Sequence, residues 1–263
     1  MNRSIIRKLT VWTVVSGVFV LLARESAHGA FVNRALPVGY SLVANPLDHT
    51  SPSGNTITNL FASGMSYVQG GNVMISRWTG SGFQTLIYWG GTSIWTDELS
   101  NPVTGVTLEV GEGVLVLNNS VSVTNTFVGD VAGFDFDLIQ RLPVPSVPAG
   151  IYLRGSVAPL QPSGFADIMG RAPVDYDAVM KLDAGGNSLV SYFLAGQWHD
   201  PFGGNLVPTV NVGEAAFFDT TGGMFGSFAL PSVPLVPEPA TATILLLGTL
   251  AVIRLRRQGS ALS

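Results

Sequence analysis

The sequence predicts an all-β protein built as two tandem degenerate β-repeats, each a small sandwich or barrel module. Three observations predict this. Apolar stretches are short and are interrupted by Gly, Pro, Ser, Thr and Asn, and no long segment carries the 3.6-residue period of an amphipathic helix. Two Gly-Glu turns stand in front of continuous apolar runs, Val114-Leu115-Val116-Leu117 and Ala215-Ala216-Phe217-Phe218. Finally, short patterns recur at a sequence offset that falls along the chain, as self-similar modules do.

The matches run in order. Gly39-Tyr40-Ser41-Leu42 resembles Gly150-Ile151-Tyr152-Leu153 at an offset of 111, and Pro52-Ser53-Gly54 recurs as Pro162-Ser163-Gly164 at 110. Tyr88-Trp89 matches Tyr192-Phe193 at 104, Trp95-Thr96-Asp97 matches Trp198-His199-Asp200 at 103, and Gly111-Glu112 matches Gly213-Glu214 at 102. Loss of loop residues at several points in a second copy produces such a drift. The copies are placed at 30–133 and 150–230.

Strands are expected at 40–44, 73–78, 83–89 and 121–128, where β-branched and aromatic residues lie between turn formers. Residues 57–61 and 165–169, after each Pro-Ser-Gly, read as one short helical turn. Val106-Thr107-Leu108-Glu109-Val110 alternates with period two, so it is expected to form a hairpin with 114–117 through Gly111-Glu112-Gly113. Val210-Asn211-Val212, Gly213-Glu214 and residues 215–218 take the same parts in the second copy. Residues 134–149 carry Pro143, Pro145 and Pro148, which donate nothing to a ladder, and read as a stiff linker. Residues 231–239 read as a second proline-rich spacer.

Both ends differ from the body. Arg3, Arg7 and Lys8 precede the uncharged run 9–23, and small residues at Ala27 and Gly29 place cleavage between Gly29 and Ala30, making 1–29 a signal peptide. At the other end stand Pro237-Glu238-Pro239, the uncharged segment 240–253, and Arg254, Arg256 and Arg257. The segment is shorter than the roughly 20 residues that span a hydrocarbon core, and snorkelling arginines extend it. Three arginines beyond the run and none just before it predict a cytoplasmic C-terminus. Residues 240–263 are therefore expected to form a C-terminal hydrophobic transmembrane helix with its basic flank, with 30–235 outside the inner membrane.

The order of tripeptide, apolar run and arginine cluster resembles the PEP-CTERM sorting signal of bacterial exported proteins, over about the last 25 residues. The resemblance implies a membrane protease of the exosortase type acting near Pro237, Glu238 and Pro239. It also implies transient anchoring in the inner membrane after passage through the secretion machinery, and a final place at the cell surface or in extracellular matrix. Extracellular polysaccharide is a further candidate partner.

Composition narrows the chemistry. With the terminal segments removed, 6 basic and 15 acidic residues remain, a formal charge of −9. Such a body has no electrostatic footprint for nucleic acid. The chain has no cysteine, which excludes thiol catalysis and thiolate metal sites. His199 adjoins Asp200, but neighbours in a strand point to opposite faces; His49 reads as a loop residue. Glu112 and Glu214 would suit glycoside hydrolysis only if they converged in one cleft, and each is expected in a solvated turn. Asp135 with Asp137, and Asp175 with Asp177, have the spacing of one strand face and offer oxygen ligands of the kind calcium takes. Solubilising charge is the simpler reading. Trp78, Trp89, Trp95 and Trp198 read as core; exposure of Trp95 and Trp198 would instead point to a sugar-stacking surface. No catalytic, cofactor or metal residue is assigned. The expectation is a non-enzymatic exported surface protein, with a carbohydrate-binding or adhesive module as the alternative and a hydrolase as the least favoured reading.

Overall fold

The computed structural model describes residues 29–49, 54–65, 72–89, 93–132, 134–135, 140–157 and 162–225. Contacts divide the chain into two units, Met1–Ser227 and Phe228–Ser263. The second unit lies outside the described residues, and with it the sorting residues Pro237, Glu238, Pro239, Arg254, Arg256 and Arg257. The signal segment apart from Gly29 also lies outside them. Among the described residues no helix is long and apolar enough to cross a membrane.

The fold is all-β. Its strands are β1 (Ala30–Leu36), β2 (Gly39–Ala44), β3 (Asn72–Trp78), β4 (Phe83–Trp89), β5 (Ile94–Thr96), β6 (Gly113–Asn118), β7 (Val123–Gly129), β8 (Phe134–Asp135), β9 (Gln140–Arg141), β10 (Ile151–Arg154), β11 (Ala178–Leu182), β12 (Ser188–Leu194), β13 (Gln197–His199) and β14 (Ala216–Asp219). Among the described residues three short helices accompany them: α1 (Ile57–Leu60), α2 (Ala62–Met65) and α3 (Phe165–Met169). Two antiparallel five-stranded sheets carry the same order, β2-β6-β3-β4-β5 and β10-β14-β11-β12-β13. Chain order explains the placing of β6: Gly113-Val-Leu-Val-Leu-Asn is buried along its whole length. A strand covered on both faces reads as a continuous apolar run rather than an alternating one.

Each sheet has its own core. In the first, Val43, Ile75, Leu86, Val114 and Val116 pack under Ile57, Leu60 and Phe61, with Leu108 and the β1–β7 pair closing the rest. In the second, Val179, Ala216 and Phe218 pack under Phe165, Ile168 and Met169. Both helical segments bury residues at i, i+3 and i+4, the spacing that puts three side chains on one face. Thr56 caps α1 through its side chain, and Gly164 stands at the same place before α3. Gly54, which the tripeptide match pairs with Gly164, instead lies ahead of that cap with φ +59°.

Two expectations are corrected. Residues 106–110 form no hairpin with β6. Thr107 and Glu109 are exposed and Leu108 is buried, as the alternation predicts. The backbone, however, turns to the segment before α1: Leu108 donates to the Asn55 carbonyl and Ile57 to that of Val106. β6 has no free edge to offer, because β2 and β3 occupy both. Val210 likewise bridges to Ser163.

The second correction shifts a match by one residue. Tyr88 pairs with Trp95, and it is Phe193, not Tyr192, that pairs with Trp198. The turn between β11 and β12 holds five residues where that between β3 and β4 holds four. In a strand one step changes the face, so Tyr88 and Phe193 lie in the cores while Tyr192 stacks on His199, with ring centroids 5.6 Å apart.

The expected linker is docked. Residues 142–148 form no strand, but the Val147 amide donates to Met169 at 3.3 Å and its side chain packs on the second core. Counting back from Gly39 and Gly150, Val147 corresponds to Leu36, the buried end of β1. Proline cannot join a ladder, so this segment takes the place of β1 without its pairing.

Candidate functional site: the junction of the two sheets

The sheets meet where β6 touches β10 and β2 touches β11. Isolated bridges join Val43 to Glu214 and Arg154 to Glu112. These are reciprocal: Arg154 holds in the second sheet the register position that Val43 holds in the first. The amide bonds repeat the exchange, Ala44 to the Gly213 carbonyl at 3.1 Å and Gly155 to that of Gly111 at 2.8 Å. Self-complementary contact of this kind is that of a two-fold interface, here made within one chain.

Small residues permit the approach. A Cβ on Gly113 would lie 2.7 Å from that of Ala215 and 2.9 Å from Leu153 Cγ. On Gly155 it would collide with Ala44 Cβ and the Glu214 carbonyl. Around this seam Leu42, Leu115, Leu153 and Phe217 are buried. Phe83 meets Phe217 edge-on at 6.1 Å, and the Trp78 indole donates to the Ile151 carbonyl at 2.7 Å.

Glu112 and Glu214, expected in solvated turns, are posts of this junction. Glu112 binds Arg77 at 2.6 Å and accepts the Glu109 amide at 3.0 Å. Glu214, 7% exposed, pairs with Lys181 at 3.1 Å and accepts both the amide and the side chain of Asn211. Arg77 faces Val114 in β6, and Lys181 directly follows Met180, which faces Phe217 in β14. Each carboxylate is thus consumed by a cation and by the turn that carries it.

The remaining candidates fall apart as sites. Asp177 is buried and held bidentately by Arg171 at 2.7 and 2.9 Å, which raises the Arg171 pKa. Asp175 accepts the Ala195 amide; neither aspartate lies in a strand. Asp135 ends β8; Asp137 lies outside the described residues. No group of three or more metal-ligating side chains gathers among the described residues. His199 ends β13 beside Asp200, whose carboxylate caps its own loop through Phe202 and Gly204, so the two form no pair. The His49 amide binds the Asn55 side chain. Trp95 and Trp198, 4% and 8% exposed, belong to the two cores; Trp89, expected in the core, is instead exposed at the end of β4 and donates to Thr96 at 2.9 Å. Gly29, with φ +103°, donates to Asp130, and Ala30 opens β1.

Sequence reasoning missed Arg77, Lys181, Arg154, Gly113 and Gly155. Matched cations before matched glutamates, and small residues at matched turns, are the signal that was present. The chain matches no family model, no curated protein and no solved structure among those searched.

Proposed function

We propose that the protein is an exported, non-enzymatic surface or matrix-associated protein sorted through its C-terminal signal. One observation carries the reading: Pro237-Glu238-Pro239, an apolar run and Arg254, Arg256 and Arg257 follow one another in the order such a signal requires. Two features agree with it. β1 begins at Ala30, directly after the proposed cleavage point, and the contact division at Ser227 precedes the proline spacer.

In this reading the signal peptide carries the chain through the secretion machinery, residues 240–263 hold it in the inner membrane, and an exosortase-type protease acts near the tripeptide. The body is a duplicated β-module whose halves, encoded in tandem, reproduce a two-fold interface at fixed stoichiometry. Tandem encoding removes the entropy of association that a dimer of single modules bears. The test replaces Pro237, Glu238 and Pro239 by alanine and follows the protein through cell fractions. Retention in the inner membrane is expected. Normal arrival at the surface overturns the sorting role.

A further inference from the structure

The two junctions are reciprocal in backbone but not in filling. At the first, Val32 and Arg34 lie over Gly213: its Cβ position is 3.3 Å from Val32 Cγ1 and 3.8 Å from Arg34 Cβ. At the second, counting back from Gly150, the places of Val32 and Arg34 are held by Pro143 and Pro145. Two compact rings replace a branched and a long side chain. A cleft of about 470 Å³ remains beside Gly111, lined by Arg77, Glu109, Glu112, Pro145, Ser146 and Arg154 among others. The corresponding hollow beside Arg34 is smaller, about 290 Å³, and has Asp183 and Glu214 on its wall.

The groups in the larger cleft are unequal in what they have left to give. The Arg77 Nε is committed to Glu112. The Arg154 guanidinium lies over the Tyr152 ring at 5.5 Å, and this side chain makes no hydrogen bond or ion pair among the described residues. Its planar fork is the group best shaped to take a carboxylate by two parallel bonds. Glu109 and Ser146 supply oxygens that accept from hydroxyl donors, and Pro145, Pro148 and Val157 supply an apolar wall. One free guanidinium among several hydroxyl acceptors fits a small molecule with one carboxylate and many hydroxyls. An acidic peptide would bring further carboxylates against Glu109 and Glu112 and few hydroxyls.

We propose that this cleft binds a carboxylated sugar residue of the uronate type, with Arg154 holding the carboxylate. The volume falls within the few hundred Å³ usual for small-ligand sites. The inference rests on the junction geometry and not on how the chain is sorted.

The test titrates the full chain, in detergent, with a galacturonate trisaccharide, a neutral glucose trisaccharide of the same length and an oligo-glutamate peptide, by calorimetry. Uronate binding is expected, weakened about tenfold or more by Arg154→Gln, since hydrogen bonds to charged groups are the costly ones to lose. Arg154→Lys, which keeps the charge without the fork, should restore only part, and the melting temperature of each variant reports folding. Absence of uronate binding, equal affinity for the neutral sugar, preference for the peptide, or an unchanged affinity in a folded Arg154→Gln variant each overturns the proposal. So does full binding by Arg154→Lys if Arg154→Gln fails to fold.

Discussion

The Gly155 amide donates to the Gly111 carbonyl at 2.8 Å, in exchange for the bond from Ala44 to Gly213. Two turns and two strand ends thereby lock to each other twice, once in each direction. The lock depends on absent side chains more than on present ones. Without a Cβ at Gly113 and Gly155 the backbones close on one another, and the leucines around them are sealed from water.

Enlarging that seam should therefore be costly. Gly155→Val places a side chain against Ala44 and the Glu214 carbonyl, and overpacking of this kind costs about 1–3 kcal/mol. Gly82→Ala is the control, since a Cβ there meets nothing within 4 Å and the change should stay within about 0.5 kcal/mol. Urea denaturation of both variants checks the contrast.

The loops after β5 and β13 are built alike. Asp97 accepts the amides of Leu99 and Asn101, and Asp200 those of Phe202 and Gly204. Ser100 and Gly203 both sit at positive φ, +65° and +85°. Asp97→Ala should lower the melting temperature. Ser100→Gly should raise stability by about 1 kcal/mol, because a side chain in the left-handed region is strained by that order. A scanning calorimeter reads both, and a stabilised Asp97→Ala variant would contradict the loop's role.

Acid should act through the same carboxylates. The Asn101 side chain, followed by its amide, holds Asp97 below the ordinary 3.8; Asn187 does the same for Asp183. A depressed folded pKa gives stability that is complete above the unfolded value and lost as pH falls through the folded one. The melting-temperature gap between the native chain and the double variant Asp97→Ala, Asp183→Ala should narrow between about pH 5 and pH 2. A constant gap would contradict the assignment.

Arg171 neutralises a buried carboxylate. Its side chain is 24% exposed, that of Asp177 only 2%. Arg171→Met strands Asp177, and removing one partner of a buried pair costs about 3 kcal/mol. Adding Asp177→Asn should recover part of the loss, because the charge goes while an amide oxygen remains for Val174. Chemical denaturation of the three chains gives the answer, and a cost below that of the double variant would contradict it.

Much of the architecture was legible in the residues. Short β-branched and aromatic runs gave β2, β3, β4 and β7 closely, and the two Pro-Ser-Gly tripeptides marked the helical turns that follow them. The misread hairpin has a physical reason. Period-two alternation in 106–110 reports which side chains are buried, and it is silent on whether the backbone pairs with β6 or with the segment before α1. The Tyr88 match slipped because an added turn residue before β12 was compensated by shorter loops later, which sequence offsets alone average away. Glu112 and Glu214 were visible as a matched pair, but their role required knowing that each turn reaches into the opposite sheet.

The sorting proposal makes the sharpest demand on one measurement, the intact mass of the protein recovered from its native surface. The account predicts a chain beginning at Ala30 and ending near Pro237. Recovery of a chain that still carries Arg254, Arg256 and Arg257 would contradict it.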